Sequence, residues 1–179
     1  MAQEILDFWF SDQSRKLWFN STEQFDRLLC ERYLATWQQA SRGELDHWQQ
    51  SAGGCLALAI VLDQFPLNMF RDNAQCFSTE AQSRDVARVA IERGFDSQLT
   101  MEQRAFLYMP FMHSESLADQ ELALNLFDQP GLEGNLRFAR HHCDIVKKYG
   151  RFPHRNKILG RESTAAEIEY LSSKEAFTG

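Results

Sequence analysis

Two polar residues at the end of the most apolar stretch of the chain are its first candidates for chemistry. Asp63 and Gln64 follow residues 52–62, which contain only Gly, Ala, Cys, Leu, Ile and Val. A helix that is apolar on every side belongs in the middle of a protein. Since Pro66 comes directly afterwards, we expect this helix to end within residues 63–66. An acid at that end opposes the helix dipole, so a buried Asp63 needs a cationic or hydrogen-bonding partner.

Three histidines are the candidates for proton transfer or anion binding. His113 follows the helix-breaking Pro110, His154 lies in the basic segment 151–156, and His142 falls on the apolar side of a predicted helix. Imidazole titrates near neutral pH and therefore suits both roles. The simpler alternative for His142 is a core histidine satisfied by one hydrogen bond, and for His113 a hydrogen bond at a helix end. We predict His113, His154 and Asp63 as the catalytic group.

Arginines close to predicted helix ends are the candidate partners of Asp63 and of a ligand. The guanidinium group matches carboxylate and phosphate geometry, so an arginine-lined cavity predicts an anionic ligand. The alternative is that these arginines pair with Asp63, Glu115 and Asp119 and fasten loops together. The arginines concerned are Arg71, Arg104, Arg151, Arg155 and Arg161.

The predicted ligand-binding residues lie in irregular segments and beside helix breaks, flanked by phenylalanines. Apolar walls with a few convergent polar groups are typical of small-molecule sites. The expected reaction class, if the site is catalytic, is hydrolysis or group transfer. No nucleophile elbow, phosphate-binding loop, dinucleotide fingerprint or zinc-protease motif is present, and we predict neither a metal nor a cofactor. The predicted binding residues are Gln64, Arg71, Arg104, Tyr108, Glu115, His142, Arg151, Arg155 and Asn156.

Composition limits the partners that the chain can have. The 179 residues are 44% hydrophobic and 25% charged, as in one globular domain, and the net charge is −6. A net negative charge argues against nucleic acid or an anionic membrane as the main partner. The acidic N-terminal residues do not resemble a secretory signal, and the run at 52–62 is shorter than the ~20 residues of a membrane span. The four cysteines show no paired spacing, so we predict a reduced, cytoplasmic protein.

The elements that position these residues are predicted to be helices throughout. No segment alternates with period two, so we predict an all-α protein without sheet, one domain over residues 1–179. We expect about eight or nine helices in an antiparallel array. Ser21 or Thr22, and Ser78 or Thr79, are expected to cap the helices that follow them. Thr100 with Gln103, Ser116 with Asp119, and Thr164 with Glu167 are further candidate helix starts. The helix start and stop signals place the main helices near 5–10, 22–42, 52–62, 79–93, 101–110, 117–127, 133–149 and 165–171.

Several long motifs resemble one bacterial family. The motifs are ILDFWF at 5–10, LDQFPLNMFR at 62–71, RAFLYMPFMHSE at 104–115, LADQ at 117–120 and YGRFPHRNKILGRESTAAE at 149–167. They are similar to the bacterial domain-of-unknown-function family 924. The resemblance implies an all-helical fold similar to tetratricopeptide-like arrays and brings no reaction or catalytic residue. Leu67 stands where a basic residue is expected for this family, which would remove one charge near the site.

Two functions are consistent with these patterns. The first is a pocket that binds a small anionic molecule, at which the residues named above converge. The second is a non-catalytic helical array that binds a protein or peptide partner on its concave face. The second hypothesis predicts an open groove with exposed aromatic side chains, and polar clusters that only fasten loops. The sequence does not predict the oligomeric state.

Overall fold

The structure, a computed structural model, describes residues 1–174, 176 and 177. In this part of the chain there is no β-strand, and nine α-helices are connected by irregular segments and short 3-10 turns. The predicted all-α class is therefore confirmed, although α2 was not expected. The helices are α1 Ala2–Trp9, α2 Asp12–Arg15, α3 Glu23–Ser41, α4 Ala52–Met69, α5 Glu80–Glu92, α6 Met101–Met112, α7 Leu117–Phe127, α8 Glu133–Tyr149 and α9 Ala165–Leu171.

The chain divides into two compact units. The first consists of Met1–Arg71 and Gln75–Pro110, and the second of Asp72–Ala74 and Phe111–Gly179. The boundary near residue 110 falls inside α6. The prediction of a single domain and of a tetratricopeptide-like array stays a prediction.

Helix α4 forms the centre of the first unit, where it contacts α1, α3 and α5. Ser51 caps its start by accepting a hydrogen bond from the Gly54 N–H at 3.1 Å. A Cβ at Gly54 would come within 1.9 Å of the Trp48 carbonyl oxygen, so only glycine permits this close approach. Among the described helices, α4 alone has the length and composition of a membrane span, but 83% of it is buried inside the protein. That burial is the property of a core helix.

The prediction that α4 ends at residues 63–66 is wrong. The helix continues through Pro66 to Met69, so Asp63 lies in its interior. Proline has no N–H, and the carbonyl oxygen of Leu62 therefore loses its helical donor. The Thr79 hydroxyl replaces that donor at 2.6 Å, and Trp37 Nε1 donates to the same hydroxyl oxygen at 3.1 Å. The buried carbonyl is thereby satisfied without interrupting the helix.

Most of the predicted helix starts are confirmed by their hydrogen bonds. Thr22 accepts from the Phe25 N–H at 3.2 Å and so caps α3. Thr100 with Gln103, and Thr164 with Glu167, each form the reciprocal pair of bonds of a capping box.

Three local expectations need correction. Helix α6 does not end at Pro110 but runs on to Met112. Thr79 precedes α5, but its side chain does not cap that helix because it is bound to the Leu62 carbonyl. Ser116 does not cap α7 either, and the partner of the Asp119 carboxylate is the Ser114 hydroxyl at 2.7 Å.

The second unit is organised around the packing of α7 on α8. Its core includes Ile145, Val146 and Phe152, and the partly buried rings of Tyr170 and Phe177 pack against them. Helix α8 has the predicted bounds and ends at Gly150, whose φ of 71° is favourable only for glycine. The segment that follows α8 contains the short 3-10 turn Pro153–Arg155. All four cysteines of the chain carry free thiols.

Replacing Thr79 by valine tests the hydrogen bond from the Thr79 hydroxyl to the Leu62 carbonyl, which allows α4 to continue past Pro66. The substitution keeps the shape of the side chain but leaves the Leu62 carbonyl and Trp37 Nε1 buried without this partner. Since each unsatisfied buried group costs roughly 1–3 kcal/mol, we expect Thr79→Val to lower the free energy of unfolding by ~2–4 kcal/mol. Denaturant unfolding of the whole chain measures this change.

Two further variants make the test specific. Ser78→Ala removes a neighbouring exposed hydroxyl and is expected to change stability by less than about 0.5 kcal/mol. Pro66→Ala restores an N–H that can bond to Leu62, so Thr79→Val should cost less in that background than in the wild type. Equal costs in the two backgrounds would show that Thr79 does not compensate for the proline.

Candidate functional site

The predicted site residues are divided between the two units. The first unit holds Asp63, Gln64, Arg71, Arg104 and Tyr108. The second unit holds the remaining predicted residues, and the convergence of all of them on one pocket stays a prediction. These remaining residues are His113, Glu115, His142, Arg151, His154, Arg155 and Asn156.

Asp63 and Gln64 form a buried polar pair on α4. Asp63 is only 1% exposed, and its Oδ2 atom accepts a hydrogen bond from Gln64 Nε2 at 2.6 Å. Gln64 Nε2 also lies 3.8 Å from the sulfur atom of Met109. Because Asp63 is inside the helix, the expected opposition between its charge and the helix end does not arise. The pair is held by helix α4 itself, which is rigidly enclosed by its neighbours.

The other predicted residues of the first unit make contacts that fasten segments together. Arg71 forms an ion pair with Asp26 at 2.8 Å. Arg104 Nε donates to the backbone oxygen of Asp96 at 3.1 Å, and the Tyr108 hydroxyl donates to the Asp96 carboxylate at 2.6 Å. At these positions the contacts agree with the alternative in which polar side chains secure loops.

Glu115 organises the basic segment of the second unit. Its carboxylate accepts from the Phe152 N–H at 2.8 Å and from Arg161 at 2.7 and 2.9 Å. Arg161 also donates to Asn156 Oδ1 at 3.0 Å. Burial raises the pKa of Glu115, but the hydrogen bonds and the Arg161 charge outweigh burial, so its pKa is lowered overall. Arg155 reaches the backbone oxygen of His113 at 2.9 Å.

Arg151 is paired with Glu167, which also closes the capping box of α9. The two guanidinium–carboxylate distances are 2.7 and 2.8 Å, and Glu167 is 1% exposed. The hydrogen bond from Arg151 is the main cause that lowers the pKa of Glu167 to about 2. This pair borders a cavity of about 480 Å³, whose lining includes no histidine. The lining residues are Lys148, Tyr149, Arg151, Thr164, Ala166 and Glu167.

Histidines and phenylalanines meet at a separate place, which we call the histidine cluster: His141, His142, Phe152, His154 and Phe177. The Phe177 ring centroid lies 4.5 Å from that of His142, 5.0 Å from that of His154 and 6.2 Å from that of His141. Phe152 lies 5.5 Å from His142 and 5.6 Å from His154. All but one of these contacts have the rings steeply inclined, an arrangement that aromatic pairs favour.

The imidazoles of His142 and His154 are neutral at pH 7, because the pKa of each is well below its ordinary value. Burial lowers the pKa of His142 to about 3, although its Nδ1 lies 2.8 Å from the Phe138 carbonyl oxygen. Burial, followed by the Arg155 charge, lowers the pKa of His154 to about 4. The simple expectation for His142, a core histidine with one hydrogen bond, therefore matches its surroundings.

His154 differs from His142 in one respect that matters for function. Its Nδ1 atom is buried, and no group in the described part of the chain forms a hydrogen bond with it. A buried polar atom without a partner costs roughly 1–3 kcal/mol. In the same part of the chain, no three His, Cys, Asp or Glu side chains are grouped to hold a metal ion. Hydrogen bonding and proton transfer are the chemistry that the imidazole itself provides.

Comparison with known proteins decides the family. The sequence model of the family described as "Bacterial protein of unknown function (DUF924)" matches residues 5–175. The chain belongs to DUF924. A solved structure of a protein of unknown function from Agrobacterium tumefaciens is 41% identical, with 96% of each chain covered and a TM-score of 0.91. The comparison with curated proteins gives no match. The resemblance found in the sequence motifs is confirmed, and with it the helical fold.

Sequence reasoning missed Phe177 as a member of the cluster in this DUF924 chain. The residue comes after the last predicted helix, where no periodic pattern indicates what it contacts. The presence of a phenylalanine between Ala176 and Thr178, near the end of the sequence, is the only signal that could have drawn attention to it. Arg161 binds Glu115, one of the three carboxylates that the loop-fastening alternative named for the arginines.

The buried histidines predict how stability depends on pH. Their pKa values in the folded chain lie below the ordinary value near 6.5, so the unfolded chain binds more protons between pH 6.5 and about pH 4. Their stabilising effect is complete above pH 6.5 and is lost as the pH falls towards the folded pKa. For His142, we expect the free energy of unfolding to fall by ~2 kcal/mol between pH 7 and pH 5. Urea unfolding at each pH measures this.

Two substitutions separate His142 from the other titrating groups. His142→Asn retains a donor for the Phe138 carbonyl but removes the titration, so stability should fall less between pH 7 and pH 5. His47 is exposed, and His47→Gln is expected to keep the wild-type dependence. If His142→Asn also keeps the wild-type dependence, His142 is not held neutral by the fold.

Proposed function

We propose that the second unit binds a small ligand at the histidine cluster, through a hydrogen bond to His154 Nδ1. The observation that carries this proposal is that Nδ1 is buried among aromatic rings without a partner in the described part of the chain. Ligand sites typically combine such apolar walls with a few polar groups that fix orientation. A ligand atom at Nδ1 would remove the cost of leaving this nitrogen unpaired.

The surrounding charges favour an anionic ligand or one with a strong hydrogen-bond acceptor. Arg155 lies with its guanidinium carbon 4.9 Å from the centre of the Phe152 ring, and its charge lowers the pKa of His154. The potential at the imidazole therefore opposes a further positive charge and favours a negative one. In the tautomer that carries its proton on Nδ1, a neutral His154 donates to such a group. Glu115 is already occupied by Arg161 and by the Phe152 N–H.

A hydrolase or transferase activity is the finer form of this proposal. His113 and His154 would then act as acid–base groups, with Asp63 orienting one of them or an arginine. A pKa of about 4 makes His154 a weak base at pH 7, because catalytic groups work best when their pKa is close to the operating pH. An anionic substrate would raise that pKa on binding. Ligand binding is thus the primary claim, and catalysis depends on the shift that the ligand produces.

Titration with inorganic phosphate and with acetate at constant ionic strength tests binding. We expect at least one of these anions to shift the imidazole ¹⁵N signals of His154 and to raise the melting temperature. His154→Phe preserves a ring between Phe152 and Phe177 but removes Nδ1, so it should abolish the thermal stabilisation. His47→Phe is the matched control at an exposed position and should leave it unchanged. Equal stabilisation of the wild type and His154→Phe would reject the site.

The predicted contribution of Asp63 and His113 has its own test. Asp63→Asn and His113→Ala are each titrated with the anion that stabilises the wild type. A decrease of about tenfold or more in the affinity for that anion would show that these residues contribute to the same site. If both variants bind as the wild type does, the site is confined to the histidine cluster and the wider pocket is rejected.

The second candidate function is a protein- or peptide-binding module, and two exposed aromatic residues favour it. Phe19 is 77% exposed while its ring stacks on Phe106 at a centroid distance of 6.4 Å, and Phe138 is 51% exposed. Exposed aromatic side chains are enriched at binding surfaces. The immobilised chain should then retain a partner at modest salt, and Phe19→Ser should weaken retention. Absence of any retained protein or peptide would count against this function.

A further inference from the structure

Phe177 is the member of the histidine cluster that comes from outside a helix. Residues 176 and 177 have no regular secondary structure, yet the Phe177 ring lies against His142, His154 and the core residues around Phe152. The backbone N–H of Phe177 donates to the Tyr170 hydroxyl at 2.9 Å. The ring of Phe177 thus packs against the buried imidazole of His142 and the partly exposed imidazole of His154.

The other residues of the cluster are much more firmly placed. His142 belongs to α8, while Phe152 and His154 lie in the segment held by Glu115 and Arg161. Within residues 1–174, 176 and 177, Phe177 is attached through its backbone hydrogen bond to Tyr170 and through its ring contacts, and its side chain remains partly exposed. Burial of the ring is offset by the entropy lost when the segment is ordered. Phe177 is therefore the member of the cluster that can be exchanged at the lowest cost.

We infer that Phe177 occupies a subsite for an aromatic ring, and that the ligand of the histidine cluster is a small aromatic carboxylate whose ring displaces it. This inference rests on the proposed function, because it takes the ligand's acceptor group to bind His154 Nδ1. The rings of His142 and His154 meet Phe177 edge to face, so they fit a planar aromatic ring better than a saturated one. Binding then requires Phe177 to leave.

Removal of the competing ring tests the subsite. Phenylacetate is titrated into the wild type and into Phe177→Ala, and binding is followed through the imidazole signals of His142 and His154. Since the wild type binds only in the fraction of molecules with Phe177 displaced, we expect the variant to bind at least about fivefold more tightly. Cyclohexylacetate, which has the same carboxylate on a saturated ring, should bind Phe177→Ala more weakly than phenylacetate does.

A second variant loosens the segment while keeping every ring in place. Tyr170→Phe removes the acceptor for the Phe177 N–H but retains the ring that packs on Tyr149 at 5.2 Å. It should tighten phenylacetate binding by a smaller factor than Phe177→Ala. Phe138→Ala, which removes an exposed phenylalanine from α8, is the matched control and should leave the affinity unchanged.

The outcomes separate this inference from the proposed function. If phenylacetate binds the wild type, Phe177→Ala and Tyr170→Phe with the same affinity, Phe177 does not compete and the inference is overturned. Equal affinities of Phe177→Ala for cyclohexylacetate and phenylacetate overturn the aromatic specificity. In both cases the proposed function stands as long as His154→Phe abolishes the response to phosphate or acetate. If the wild type and His154→Phe respond alike to those anions, the proposed function fails first.

Discussion

A proline inside the most buried helix creates the constraint on which the first unit depends. Pro66 cannot donate a hydrogen bond to the carbonyl of Leu62, a residue that is only 2% exposed, so this carbonyl needs another donor within the protein. The replacement donor is Thr79, and Thr79 in turn accepts from Trp37 on α3. One hydroxyl therefore couples α3, α4 and the start of α5. The buried pair of Asp63 and Gln64 directly follows Leu62 on the same helix.

The sequence predicts features that depend on neighbouring residues better than features that depend on distant ones. The bounds of α8 and the capping box of Thr164 and Glu167 are correct because each signal lies within a few residues of its effect. The predicted end of α4 is wrong because the Leu62 carbonyl, which cannot bond to Pro66, receives its hydrogen bond from Thr79, 17 residues further along the chain. A local rule that proline ends a helix does not take account of such a donor.

The same distinction applies to the candidate site. Residue types alone identified the arginines, the histidines and Glu115 as polar groups in irregular segments. They did not identify Asp26 as the partner of Arg71, which lies 45 positions away, and they named Glu115 only as one of three carboxylates that the arginines could bind. Nor did they indicate that Phe177 would enclose the histidines, since a residue beyond the last helix carries no periodic signal. The sequence indicates which residues have chemically active side chains, whereas the fold determines which of these side chains are paired.

Pairing also decides which of the polar groups remain available to a ligand. Arg71, Arg151 and Arg161 each hold a carboxylate, so a competing anion would have to break an existing ion pair. A ligand that binds His154 Nδ1 would not have to break an ion pair, because this atom has no hydrogen-bond partner in the described part of the chain. Full burial of a phenylalanine ring contributes about 1.5–3 kcal/mol, of which the partly exposed Phe177 gains only a part, while ordering each residue costs about 1–2 kcal/mol. Because these energies are comparable, a modest ligand contact is sufficient to exchange one occupant of the cluster for another.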